Sequence, residues 1–179
     1  MRTVLYYERQ HFSPWFHGLA LLFGVLGLYL IVPDLEGTLE PVQGLVAILF
    51  LGIGVVMLNL FTMTTWVYPE EIRIQFGRLL PYYQKHLALG ILERSTPVDY
   101  HPLRDAGGWG IRRGTFEGMA TRFLNARGAR GVLVEGGEQP YLIGTQYPDE
   151  LDEVLSRRIA EIRGVVCGPA DAGDGVPPF

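Results

Sequence analysis

The sequence predicts an α+β membrane protein: a two-helix transmembrane hairpin, then a β-rich domain closed by one C-terminal amphipathic helix. Three observations carry this. Two long apolar runs, 15–32 and 42–66, hold no Asp, Glu, Lys or Arg. Between 67 and 164, short apolar alternations are separated by glycine turns. Finally, Leu151, Val154, Leu155, Ile159 and Ile162 recur at helical spacing on one face. The chain of 179 residues therefore divides into a cytoplasmic N-terminal segment 1–14, the hairpin 15–66, a domain 67–164 and a disordered tail 165–179.

The first run has His17 as its single group titrating near neutrality, and at roughly 1.5 Å per residue it spans about 27 Å. That length just crosses a hydrocarbon core of about 30 Å. The second run is longer and crosses with tilt. Pro33-Asp34-Leu35-Glu36-Gly37 lacks a small-x-small cleavage pattern, so the first run is read as a span and not a signal peptide. Arg2 and Arg9 precede the spans, Arg73 and Arg78 follow them, and the intervening loop carries Asp34, Glu36 and Glu40 without a basic residue. This asymmetry places both termini in the cytoplasm, with the hairpin in a bacterial plasma (inner) membrane. Tyr6, Tyr7, Phe12, Trp15 and Phe16 before and at the start of the first span, and Phe61, Trp66 and Tyr68 at the end of the second, are expected at one interface as an aromatic belt. Gly18, Gly24 and Gly27 and Gly44, Gly52 and Gly54 are expected to let the two helices approach closely. Asn59, Thr62, Thr64 and Thr65 are read as polar positions near the cytoplasmic end of the second helix. Two charge-free spans argue against a transport path.

In the domain, Ile72, Ile74 and Phe76 alternate with Arg73 and Gln75 as in a strand with one wet face. Gly77-Arg78 turns the chain into a partner strand over 79–89. A strand over 91–100, broken near Thr96-Pro97, leads into a glycine-rich stretch over 105–118. Phe123-Leu124-Asn125, Gly131–Glu135 as 131–135, and Tyr141-Leu142-Ile143 supply the remaining strand segments. Pro148 suits a first helical turn, with Asp149, Glu150, Asp152 and Glu153 at the positive end of the dipole and Arg157, Arg158 and Arg163 at the other.

A two-helix hairpin followed by a β-rich domain of this size and one terminal amphipathic helix resembles bacterial membrane proteins that carry a pleckstrin-homology-like (PH-like) domain. The residues carrying the resemblance are the run from Trp66 to Gly77, the stretch Gly107-Gly108-Trp109-Gly110-Ile111-Arg112, and Gly131-Val132-Leu133 with Tyr141 to Pro148. It covers about residues 15–163. The resemblance implies a seven-stranded PH-like β-barrel capped by the helix, and it brings no catalytic residues.

Charge excludes some functions. The net charge of −4 contains a domain balanced at 13 basic and 13 acidic residues, which gives no footprint for nucleic acid. Of the 15 basic residues only Lys85 is lysine, as in a GC-rich bacterial genome. The single Cys167 excludes an intramolecular disulfide and a CxxC metal site. His11, His17, His86 and His101 show no metal-ligand spacing, so neither metal nor cofactor is expected. Gly107-Gly108-Trp109-Gly110 matches neither a dinucleotide nor a phosphate-loop pattern and reads as a tight turn. Asp99, His101, Ser95 and Thr96 lack the third partner of a nucleophilic site, so no enzyme is expected. One local basic excess remains: Arg104, Arg112, Arg113, Arg122, Arg127 and Arg130 stand against Asp105 and Glu117. Near an inner leaflet it would meet anionic headgroups. The expected function is a non-catalytic, membrane-anchored scaffold that binds a protein partner or forms a homo-oligomer. An anionic-lipid sensor, or an accessory subunit of a larger complex, is the alternative; membrane lipids are partners in each reading.

Overall fold

The computed structural model describes residues 3–12, 14–31 and 41–166. The acidic loop, Arg2, and the tail from Cys167 onward lie outside the described residues, and with them the expectations placed there.

Two antiparallel helices, α1 (Pro14–Ile31) and α2 (Pro41–Leu60), are long and apolar enough to cross a membrane. Each opens on proline, whose missing N–H leaves no helical bond unmade at that position. The buried residues of the pair are all small: Ala20 and Gly27 on α1, Ala47 and Gly54 on α2. A Cβ on Gly54 would sit 3.0 Å from the Ala20 carbonyl, and one on Gly27 would sit 2.8 Å from Leu51. Gly18, Gly24 and Gly52 have open space instead. Between the close approaches, Phe23 and Phe50 meet edge to face at 5.7 Å.

The second helix stops at Leu60, short of the expected end at residue 66. Thr62, Met63, Thr64, Thr65 and Trp66 instead form strand β2 (Thr62–Val67), where β-branched side chains fit a pleated surface better than a helix. The N-terminal segment is likewise a strand, β1 (Tyr6–His11), paired antiparallel with β2 from Tyr6↔Val67 to His11↔Thr62. The helical hairpin is therefore an insertion between two adjacent, hydrogen-bonded strands. Strand β1 and residues 62–66 belong to the β domain that the sequence begins at residue 67.

Sheet A continues as an antiparallel meander through β3 (Glu71–Phe76) and β4 (Tyr83–Ala88), in the order β1-β2-β3-β4. A loop over 77–82 replaces the first part of the expected partner strand. It is held by Asn59, whose Oδ1 accepts from the Leu79 and Leu80 amides at 2.6 and 3.0 Å and whose Nδ2 donates to the Leu80 carbonyl at 2.9 Å. Asn59 thus ties α2 to the loop and not to α1.

A 3-10 turn over Leu89–Ile91 leads to sheet B. Its strands are β5 (Leu92–Asp99), β6 (Gly110–Phe116), β7 (Met119–Asn125), β8 (Arg130–Gly136) and β9 (Tyr141–Gly144), in the order β5-β8-β9-β7-β6. Pro97 stays within β5 because β5 is an edge strand, where a missing N–H faces outward. The glycine-rich stretch is ordered as a short helix α3 (Pro102–Ala106) and β6. β7 and β9 pair in parallel. Nine strands in two separate sheets, and not a closed seven-stranded barrel, are thus seen among the described residues.

Sheet B has two apolar faces. Leu124, Val132, Val134 and Ile143 share a core with Met63, Ile72, Ile74 and Phe76 of sheet A and with Leu151, Leu155 and Ile159 of α4 (Pro148–Val166). Their neighbours Phe123, Leu133 and Leu142 point the other way, to a second core with Tyr100, Ala106 and Phe116. Alternation along each strand puts adjacent apolar residues in different cores. Helix α4 covers the first core as its apolar spacing predicts, and runs through Gly164 to Val166, two residues into the expected tail.

Candidate functional site

Successive strands of sheet B meet β4 at successive heights. Leu92 on β5 lies with Leu87 and Leu89 in the shared core, the Tyr141 ring of β9 lies 5.2 Å from Lys85 Nζ, and Arg122 on β7 reaches the Tyr83 ring at 5.9 Å. Tyr83 follows the loop bonded to α2, so β6, next after β7, is the edge of sheet B on the side of the helices.

The six arginines do not form one patch. Arg112 and Arg113 are neighbours on β6 and so face opposite sides. Arg112 Nε donates to the Trp109 carbonyl at 3.2 Å, on the side where α3 packs; Arg104, on α3, is bound to Asp105 at 2.8 Å. Asp105 also accepts from the His101 amide, and the hydrogen bonds from Arg104 and His101 hold its carboxyl below the usual range. Arg113 is directly opposite Arg122 in the β6–β7 register. Like charges placed so repel. The half-buried Arg122 has a buried Nε without a hydrogen-bond partner. Arg127 is exposed in the β7–β8 turn, and Arg130 lies between Asp99 and Asp149 at 3.6 and 3.4 Å. The β6–β7 register brings Arg113 and Arg122 together.

Beside them stands Lys85, which the sequence does not single out. Its ammonium stands over the Tyr141 ring, and Gln139 Nε2 donates to the Tyr141 hydroxyl at 3.2 Å. Burial pushes that phenol up, but Lys85, the bond from Gln139 and the charge of Arg122 outweigh burial and leave its pKa below the ordinary value. An open cleft of about 420 Å3 lies alongside, lined by Lys85, His86, Leu92, Gly137 and Glu138 among others.

The positions read for chemistry are engaged elsewhere. The Ser95 hydroxyl pairs with Ser156 at 2.9 Å, and Asp99 faces Arg130. The Gly107 and Gly108 amides close α3 on the Leu103 and Pro102 carbonyls, and the Gly110 amide donates to Asn125 Oδ1 at 2.8 Å. These N–H groups are thereby unavailable to a phosphate.

One carboxylate among the described residues is buried. Glu8 on β1 accepts from the Tyr6 hydroxyl at 2.8 Å, Thr145 Oγ1 at 2.5 Å and the Gln146 amide at 2.9 Å, while Gln10 Nε2 donates to the Gly144 carbonyl at 2.7 Å. This polar seam fastens β1 to the end of β9. Burial raises the Tyr6 phenol well above its ordinary value.

No family model matches this chain, and neither a curated protein nor a solved structure does.

Proposed function

We propose that the protein is a non-catalytic, membrane-anchored interaction module whose hairpin crosses a bacterial inner membrane and whose two-sheet domain meets a protein partner or a second copy in the cytoplasm. The observation that carries this reading is the insertion of the hairpin between paired strands. β1 ends at His11, α1 begins at Pro14, and α2 passes into β2 across Phe61 alone, so at most two residues separate either span from a strand of the domain. Phe12, Phe16 and Phe61 pack at that junction, with Phe16 and Phe61 stacked at 4.4 Å. A domain held this way presents a fixed face, as a scaffold requires and a tethered enzyme does not. The pairing of β1 with β2 puts the residues before α1 and after α2 on one side, in keeping with Arg9, Arg73 and Arg78 on the cytoplasmic side. The PH-like assignment belongs to the same proposal. Two packed sheets with a terminal helix support it; the five-stranded second sheet and its parallel pair are departures from it.

Crosslinking in native membranes, followed by affinity purification of the full chain, tests the reading. A specific partner or a crosslinked homo-oligomer is expected. A strictly monomeric chain with no partner enriched over an unrelated two-span protein rejects the scaffold. A second reading, an anionic-lipid sensor, is favoured by the unpaired Arg113 and Arg122 near the helical side of sheet B. Loss of liposome binding by the full chain in Arg113→Ala with Arg122→Ala would favour it.

A further inference from the structure

The outer face of sheet A, where it meets the helices, gathers positive charge around a buried hydroxyl. Arg9 and His11 project outward from β1, because Glu8 and Gln10 between and before them point inward. Directly opposite His11 in register is Thr62, so the two side chains share the outer face. On the far side of Thr62, the Gly77 amide donates to the Thr62 carbonyl at 2.9 Å and the next residue is Arg78. From α1, the His17 ring closes to 5.5 Å of the His11 ring, edge to face. His11, His17 and Arg78 therefore come from three elements to one end of one sheet, and Arg9 stands two residues back on the same face of β1 with its guanidinium over the Tyr7 ring at 5.8 Å.

Two further observations point to an anion. Thr62 is 1% exposed, and its Oγ1 has no hydrogen-bond partner, although a buried hydroxyl without one is destabilising. The cluster also lacks a counter-charge: Glu8, the acid nearest in sequence, is turned to the opposite face and bonded to Tyr6, Thr145 and Gln146. Burial, then the positive charges of His17, Arg9 and Arg78, hold the His11 pKa below its ordinary value. Among the described residues no carboxylate forms an ion pair with any of the four.

We propose that Arg9, His11, His17 and Arg78, with the Thr62 hydroxyl between them, hold a phosphate group, that of an anionic phospholipid headgroup. The choice of lipid over free phosphate rests on the membrane reading above and on the apolar flanks. The cluster sits at the very ends of α1 and α2, the depth at which headgroup phosphates meet a spanning hairpin. Leu79 and Leu80, next to Arg78, are 74% and 76% exposed. Large apolar groups around a cationic pocket suit a headgroup with its chains. A soluble ion has no use for them.

The test uses the full chain in neutral detergent, with the imidazole resonances of all four histidines followed by NMR. It is titrated in separate arms with short-chain phosphatidylglycerol, short-chain phosphatidylcholine and inorganic phosphate. Phosphatidylglycerol is expected to act saturably on His11 and His17 and to raise the His11 pKa, while His86 and His101 stay put. Arg9→Gln and Arg78→Gln are each expected to weaken this binding about fivefold, from about 1 kcal/mol per basic residue. Thr62→Val is expected to weaken binding several-fold while raising the melting temperature, because it removes both a ligand contact and an unpaired hydroxyl. A purely structural Thr62 would not give those opposite signs. An equal response to inorganic phosphate overturns the lipid assignment, and so does an equal response to phosphatidylcholine. Uniform movement of all four histidines, or no response in any arm, overturns the site. Vesicle flotation judges the membrane reading separately: a chain that does not float refutes that reading, while the phosphate arm still decides whether an anion binds.

Discussion

The helical hairpin and the two-sheet domain solve the same problem with opposite surfaces. In the hairpin the buried residues are the smallest available, Ala20, Gly27, Ala47 and Gly54, and the large ones face outward; Leu21 is 69% exposed and Ile48 68%. In the domain Phe76, Phe123, Leu151 and Leu155 are fully enclosed. The difference is the one expected if, as proposed above, the hairpin is folded against hydrocarbon and the domain against water. Water drives large apolar side chains together, whereas in hydrocarbon only close backbone approach distinguishes one packing from another. The junction between the two is polar and aromatic, with Asn59, Phe12, Phe16 and Phe61 fixing one region to the other.

The comparison breaks most readily in the domain. Phe76→Ala empties the core between the sheets and α4 and is expected to lower stability by about 3–5 kcal/mol, measured by denaturant unfolding of the full chain in detergent. Next is Glu8→Ala, which removes the acceptor shared by Tyr6, Thr145 and Gln146; a loss of about 2 kcal/mol is expected. Stability that matches the parent would show that water replaces the carboxylate without penalty.

Tyr100 gives a test through pH. Burial, only partly offset by the hydrogen bond from Asn125, pushes its phenol up to about 12 from an ordinary 10.0. The folded chain holds this proton more tightly than the unfolded chain does. That contribution is therefore complete below about pH 10 and is lost as pH rises through about 12. Tyr100→Phe is expected to remove roughly 2 kcal/mol of alkaline destabilisation. An unchanged alkaline unfolding curve would reassign that loss to other groups.

Two hairpin glycines sharpen the contrast on a smaller scale. A methyl on Gly54 meets the Ala20 carbonyl at 3.0 Å, whereas one on Gly52 meets nothing within 4 Å. Gly54→Ala is expected to be less stable than Gly52→Ala by about 1–2 kcal/mol, since both gain the same helix propensity and only one crowds its partner. Thermal unfolding of the pair in detergent measures it. The smallest effect belongs to Leu21→Ala, expected to stay within about 0.5 kcal/mol in the same assay because most of the side chain is exposed. A large loss there would mean that this face is covered by another copy.

Legibility in the sequence followed from whether the signal was local. The first apolar run and α1 agree to within a residue, and α4 buries the face its spacing marks. Strand β1 was hidden because two of its inward residues are Glu8 and Gln10, so no apolar alternation appears; its burial depends on partners more than 130 positions away. The end of α2 was hidden because Met63, Trp66 and the threonines continue an uncharged run, and hydropathy does not distinguish an apolar helix from a buried strand. β6 was hidden among glycines and arginines. The arginine excess over 104–130 is likewise real in sequence but spread over several elements, since a strand sends neighbours to opposite faces, Asp105 pairs with its own neighbour Arg104, and Asp99 and Asp149 reach Arg130 from other segments.

Composition and periodicity alone therefore determined the elements whose driving force is local: two charge-free apolar helices, a glycine-punctuated β region and one amphipathic terminal helix. Only tertiary structure decided that the hairpin is inserted between β1 and β2, that nine strands of the described residues form two open sheets, and that the His11 and His17 rings meet where β1 joins α1. The reason is physical. Helix periodicity is set by residues three and four apart, whereas strand pairing, burial of polar groups and the gathering of charge depend on residues that meet only once the chain has closed.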